Sequence, residues 1–137
     1  MADTTDELRS GKSTNLGHER AVLNKLYRRA WEKYVVNKER LCSTPVGHQP
    51  LYHGPEGGNC PLGEMIPREL CLSGFENMMC ITELMRRRRD VSDCFEGVRA
   101  EHLLAFQMAC DESLHPFRAA LYLKKFAEKY GLKLTDD

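Results

Sequence analysis

The segment CLSGFENMMC, residues 71–80, carries a cysteine at each end and nothing that looks catalytic. Its reading decides the fold. Pro67 stands just upstream, in the position proline favours for the first turn of a helix, and apolar residues recur downstream through Met85. The pattern predicts a helix over about 67–88 that contains the whole segment. RDVSD then breaks it, and a further helix is expected over about 94–112. A short turn between two helices lays them antiparallel. Each would carry two cysteines, Cys71 and Cys80 on one and Cys94 and Cys110 on the other.

Outward from this hairpin, His115-Pro116 sets the next boundary, because the residue before a proline avoids helix. A last helix is predicted over 116–130, burying Phe117, Ala120, Leu121, Leu123, Phe126 and Tyr130, with Gly131 as its stop. Toward the N-terminus, the stretch 42–66 holds half the glycines and most of the prolines, so no regular element is expected there. Before it, Val22, Leu23, Leu26, Tyr27, Ala30, Trp31, Tyr34 and Val35 recur at three- and four-residue steps. They predict an amphipathic helix over about 17–41, with Asn15 as a plausible N-cap and a basic outer face. Residues 1–16 read as a polar extended arm. The chain is thus expected to be all-α, a single helical domain over 17–137, with the first helix set apart by a long loop.

The bulk numbers narrow the function. Lys plus Arg and Asp plus Glu both number 20, so the formal net charge is zero. This balance gives no reason to expect nucleic acid or an anionic membrane as partner. The run Arg86–Arg89 is read as cations at the negative end of a helix. No apolar run approaches the roughly 18 residues that span a bilayer. The opening MADTTDELRSGKS has no apolar segment and three acidic residues, so neither a secretory signal nor a transit peptide is expected. No nucleophile elbow, phosphate loop or zinc-protease motif occurs, which argues against an enzyme. Glu101-His102 lies on the third predicted helix, with His102 on its apolar face.

Six cysteines leave three readings open: buried thiols, disulfides or metal ligands. Counted from a turn near Asp90, Cys71 and Cys110 stand at nearly equal distances, so a bridge between them would staple the open ends. Cys80 and Cys94 would close the other end. Nine steps at about 100° place Cys80 on the opposite side of a straight helix from Cys71. Both therefore pair with the third helix only if the second unwinds near Cys80. Gly97 similarly suggests that Cys94 precedes the regular third helix. In the loop, Cys42, His48, His53 and Cys60 are spaced C-x5-H-x4-H-x6-C, two thiolates and two imidazoles that would suit tetrahedral zinc. A Cys42–Cys60 disulfide or free thiols are the alternatives. No other cofactor is expected.

The paired cysteines over 67–112 resemble the coiled-coil-helix-coiled-coil-helix proteins of the mitochondrial intermembrane space. Those are helical hairpins joined by two disulfides and trapped by oxidative folding. The spacing departs from that family, with eight residues between the first pair and fifteen between the second. The first helix carries Leu26-Tyr27-Arg28, which resembles the LYR motif of a family of small helical mitochondrial proteins. That resemblance implies a matrix protein that docks the mitochondrial acyl carrier protein. Leu26 and Tyr27 would face the bundle, and Arg28, Arg29 and Lys33 would form the basic surface that meets an acidic partner. Together the resemblances imply a non-catalytic accessory subunit of a respiratory or ATP synthase complex, peripheral to the mitochondrial inner membrane on its intermembrane-space side and held by other subunits. The alternatives are an assembly factor of LYR type in the matrix and a zinc-stapled protein- or RNA-binding module.

Overall fold

A computed structural model describes residues 12–39, 51–54, 59–111 and 116–135. The protein is all-α, and the described residues include no strand beyond an isolated bridge between His53 and Asn59. The described residues form six α-helices in order: α1 Lys12–Ala30, α2 Pro61–Glu64, α3 Ile81–Arg87, α4 Arg89–Cys94, α5 Ala100–Asp111 and α6 Pro116–Tyr130. None is long and apolar enough to cross a membrane.

Helix α1 begins at Lys12, inside the expected arm, because no proline interrupts residues 12–16. Asn15 is therefore within the helix and not its cap. After Ala30 the chain widens into a π-helical segment, Trp31–Val36. It stops short of residue 41 because Lys38 turns left-handed at φ 54°. The Glu39 N–H then donates to the Lys33 carbonyl at 2.8 Å. The apolar stripe is placed as its period dictates: Leu23, Leu26, Tyr27, Ala30 and Tyr34 are buried. They meet Leu84, Val91 and Phe95 from the middle of the chain, Leu103 and Phe106 of α5, and Leu123, Phe126 and Ala127 of α6 in one core. Each large side chain so buried contributes about 1.5–3 kcal/mol relative to exposure.

The middle of the chain differs most from its sequence expectation. Residues 67–88 are not one helix. Two single 3-10 turns, Arg68–Leu70 and Glu76–Met78, precede α3, and Cys71 between them is left-handed at φ 53°. The cause is local. The Glu76 N–H donates to Ser73 Oγ at 3.1 Å, and the Ser73 N–H donates to Glu76 Oε1 at 2.9 Å. This reciprocal pair is a capping box, which starts a helical turn and so forbids one passing through. Arg88 fixes the result, with NH1 on Glu76 at 2.8 Å and NH2 on the Leu70 carbonyl at 2.7 Å. Its own backbone is extended and separates α3 from α4. RDVSD, the expected breaker, opens α4. Cys94 is the last residue of α4, so the expected helix over 94–112 is shortened to α5. Between them Gly97 has φ 84°, and a Cβ there would stand 2.7 Å from the His18 ring.

The loop is also more ordered than its composition suggests. Pro61 at the first position and Cys60 as N-cap build the single turn of α2, with the Gly63 N–H donating to Cys60 Sγ at 3.2 Å. Gly63 is required there, because a Cβ would fall 1.9 Å from the Tyr52 carbonyl oxygen. The Asn77 amide holds residue 53 in both directions, accepting from the His53 N–H at 2.8 Å and donating to its carbonyl at 2.7 Å. Helix α6 runs as expected to Gly131, left-handed at φ 67°. Its buried stripe is Ala119, Leu123, Phe126 and Ala127, while Leu121 faces solvent.

Candidate functional site

Three segments meet around one pocket of about 210 Å³. Leu51, Tyr52, Cys60 and Leu62 come from the loop, Met78, Met79 and Cys80 from the turn before α3, and Leu104, Gln107, Met108, Cys110 and Asp111 from α5. The polar floor fixes their positions. The Tyr52 hydroxyl donates to the Met79 carbonyl at 2.6 Å and accepts from Gln107 Nε2 at 2.7 Å. Gln107 Oε1 accepts from the Ile81 N–H at 2.8 Å, satisfying an orphan donor of α3. Two side chains thus join the loop, the turn and α5.

Above this floor the walls are apolar and rich in sulfur. Met78 and Met108 are 44% and 52% exposed at the mouth. Methionine is flexible and polarisable, which suits a surface that adapts to another molecule. Phe75, 67% exposed and covered by the Arg87 guanidinium at 5.8 Å, belongs to the same turn. Asp111 is the only formally charged lining residue among those described, and burial pushes its carboxyl up to about 6.

The cysteines do not form the expected hairpin. The five described ones are free thiols. Cys71 is exposed on a left-handed turn, and Cys110 is buried, its thiol raised by desolvation. The pairing was counted on a continuous helix, and that helix is absent. Cys80 is exposed at the pocket, and the Thr82 hydroxyl 3.3 Å away holds its thiol below the usual value. Cys94, half-buried, donates to the Asp90 carbonyl at 3.3 Å, and burial raises its thiol.

Of the expected zinc quartet, Cys42 and His48 lie outside the described residues. His53 Nε2 lies 3.0 Å from the Gly63 carbonyl and 2.6 Å from that of Ile66. Carbonyls only accept, so this nitrogen carries the proton and is not free for a metal. No group of three His, Cys, Asp or Glu among the described residues is arranged to hold an ion.

The expected partner-binding residues of α1 are largely engaged within the chain. Leu26 and Tyr27 are core residues. Arg28 Nε donates to the Lys133 carbonyl at 2.9 Å. Arg29 holds Glu64 through Nε and NH2 and reaches Glu32 with NH1. Lys33, expected on the basic surface, is buried, with Nζ 3.1 Å from Glu39. The widened π turn carries it inward.

Sequence reading missed Glu19, Arg99, Tyr52, Gln107 and Asp111. Glu19 of α1 is buried and accepts from the Arg99 N–H at 2.8 Å and from its guanidinium at 2.9 Å and 3.2 Å. Burial raises the Glu19 carboxyl, but the Arg99 hydrogen bonds, with His102 nearby, outweigh it and hold it below its ordinary range. His102 Nδ1 lies 3.3 Å from Glu19 without hydrogen-bond geometry, and the ring packs on Tyr130 at 4.8 Å. Asp111 carried a readable signal: an acid in the last turn of a helix opposes the macrodipole. Tyr52 and Gln107 carried none, because their partner atoms are main-chain groups and each other. No family model, no curated protein and no solved structure matches this chain.

Proposed function

We propose that the protein is a non-catalytic accessory subunit that holds a partner polypeptide by seating one of its side chains in this pocket. The observation that carries the reading is the size and lining of the site. Sites for cofactors and drug-sized ligands run to about 300–1,000 Å³. A space of about 210 Å³ exceeds the ~150 Å³ that accepts a benzene and suits a single side chain. Its mouth is formed by exposed methionines, and Phe75 extends the apolar surface along the same turn. Such anchors in pockets dominate protein interfaces.

The setting we propose is a mitochondrial inner-membrane assembly, respiratory or ATP synthase. It rests on the Leu26-Tyr27-Arg28 resemblance more than on the paired cysteines, because Cys71 lies on a left-handed turn and not on the continuous helix that the pairing was counted on. The LYR-type reading, with acyl carrier protein as partner, is weakened by the engagement of Arg28, Arg29 and Lys33 inside the chain. The zinc-module reading is left with Nδ1 of His53, because Nε2 is committed to the Gly63 and Ile66 carbonyls.

The test is native electrophoresis of gently solubilised mitochondria, with photo-methionine replacing methionine in the full chain. The expected result is co-migration with a large complex, and cross-links from positions 78 and 108 into one neighbouring subunit. A chain migrating alone near its own 15.7 kDa, without cross-links, overturns the proposal.

A further inference from the structure

Asp111 is placed against three preferences at once. It ends α5, where the unpaired carbonyls give the helix a negative pole. The last turn of α5 contains no basic residue. Its carboxyl is largely withdrawn from water beside apolar walls, and no cation among the described residues pairs with it. Among the described residues, the titratable groups sharing the pocket are Tyr52 and the thiols of Cys60, Cys80 and Cys110, none of which supplies positive charge. A site that breaks local rules without compensation among the described residues points to compensation from outside.

We propose that the pocket receives a lysine or arginine side chain of the partner polypeptide, with its aliphatic stem along Met78, Leu104 and Met108 and its charged head on the Asp111 carboxylate. This rests on the docking reading above and names the chemistry of the anchor. The two ends of such a side chain match the two surfaces of the site. Long basic side chains bury their methylene stems on apolar surface while the head keeps polar contact. The head meets both the carboxylate and the negative pole of α5. An apolar side chain would fill the walls but leave the carboxylate buried and unpaired, a costly state. An acidic one would face like charge. The socket therefore discriminates by charge as well as by shape.

The test titrates the full-length protein, carrying 13C-methyl methionine, with n-butylammonium and, separately, with 1-butanol. Met78 and Met108 report the site, and Met65 and Met85 serve as internal controls. At pH 7.5 n-butylammonium is expected to shift Met78 and Met108 but not the controls. Binding should weaken about tenfold at pH 5, where a carboxyl titrating near 6 is mostly protonated. Asp111→Asn should show the weaker affinity at both pH values. Equal binding of n-butylammonium and 1-butanol, unchanged by Asp111→Asn, would overturn the basic anchor while leaving an apolar docking socket. Absence of any shift at Met78 and Met108 with either probe would overturn the socket itself.

Discussion

At the N-terminal end of α5, Glu19 is buried and saturated, accepting from the Arg99 backbone and guanidinium. At the C-terminal end of the same helix, Asp111 is largely buried with no partner among the described residues. Burial acts on both carboxylates in the same direction. Hydrogen bonds and a cation reverse the outcome at one end, so Glu19 ionises more readily than a free carboxyl and Asp111 less readily. The helix dipole reinforces the difference: an anion is favoured at the first turn and disfavoured at the last. The first end locks α1 to α5 and is complete in itself. The second has no counter-charge among the described residues, and it opens on the pocket.

The largest effect is expected from Glu19→Ala. It removes charge-assisted hydrogen bonds worth about 1.5–3 kcal/mol each and leaves the Arg99 N–H unpaired. Arg99 remains about half exposed and recovers water, so the net loss should be about 3 kcal/mol, or roughly 10 °C in Tm. Because the folded carboxyl titrates below its unfolded value, this stability is present above about pH 4.5 and lost as pH falls through the folded pKa. The gap between wild type and variant should therefore narrow as pH falls below 4.5. A gap that does not narrow on acidification would mean the pair is not what joins α1 to α5.

Asp111→Asn should act in the opposite direction. The folded carboxyl titrates near 6, above its ordinary 3.8, so the folded state holds its proton longer. Ionisation then costs stability as pH rises from 4 through 6, and the cost is fully present at pH 7.5. The variant should be more stable than wild type by on the order of 2 kcal/mol at pH 7.5 and equal to it at pH 4, as read by urea unfolding. A variant less stable at pH 7.5 would show that Asp111 has a cation in the free protein. The contrast between the two ends would then disappear.

Tyr52→Phe tests the floor that holds the open end in shape. It leaves the Met79 carbonyl and Gln107 Nε2 each short of one partner, at an expected cost of about 1–2 kcal/mol in urea unfolding. The methyl signals of Met78 and Met108 should shift with it, and those at the Glu19 end should not. A uniform change across the molecule would mean the two ends are not independent.

The two ends also differ in how far the sequence reveals them. The stripe that places α1 was legible because burial follows a 3.6-residue period over many residues, and that of α6 was legible in part, with Leu123 and Phe126 buried but Leu121 in solvent. Leu26, Tyr27 and Tyr34 are buried as that period requires. The turn before α3 was misread because its apolar residues allow a helical period, while the Ser73–Glu76 capping box that overrides it spans only four residues. Arg88 was read as one of the cations at the negative end of a helix, yet it ties Leu70 and Glu76 together. The pocket was not legible, because Tyr52 and Gln107 are 55 residues apart and nothing local announces their hydrogen bond. The cysteine count carries a related assumption. Equal counts from a turn imply equal heights only along continuous helices, and the segment around Cys71 is not one.

The smallest effect is expected from Cys71→Ser, and it decides whether the C-terminal end of α5 is open. A bridge from Cys71 to Cys110 would anchor that end covalently, one residue before Asp111, and would reverse the comparison. Removing a native disulfide costs about 2–5 kcal/mol. Removing an exposed free thiol should change stability by no more than about 0.5 kcal/mol. The measurement is urea unfolding of the full chain with and without reductant, together with its intact mass. Both proteins should give the same midpoint in either buffer, and reductant should leave the mass unchanged. A wild-type midpoint that falls on reduction, with a mass gain of about two units per bridge and no such response in the variant, would close the C-terminal end. It would also restore the oxidising compartment as the place where the protein works.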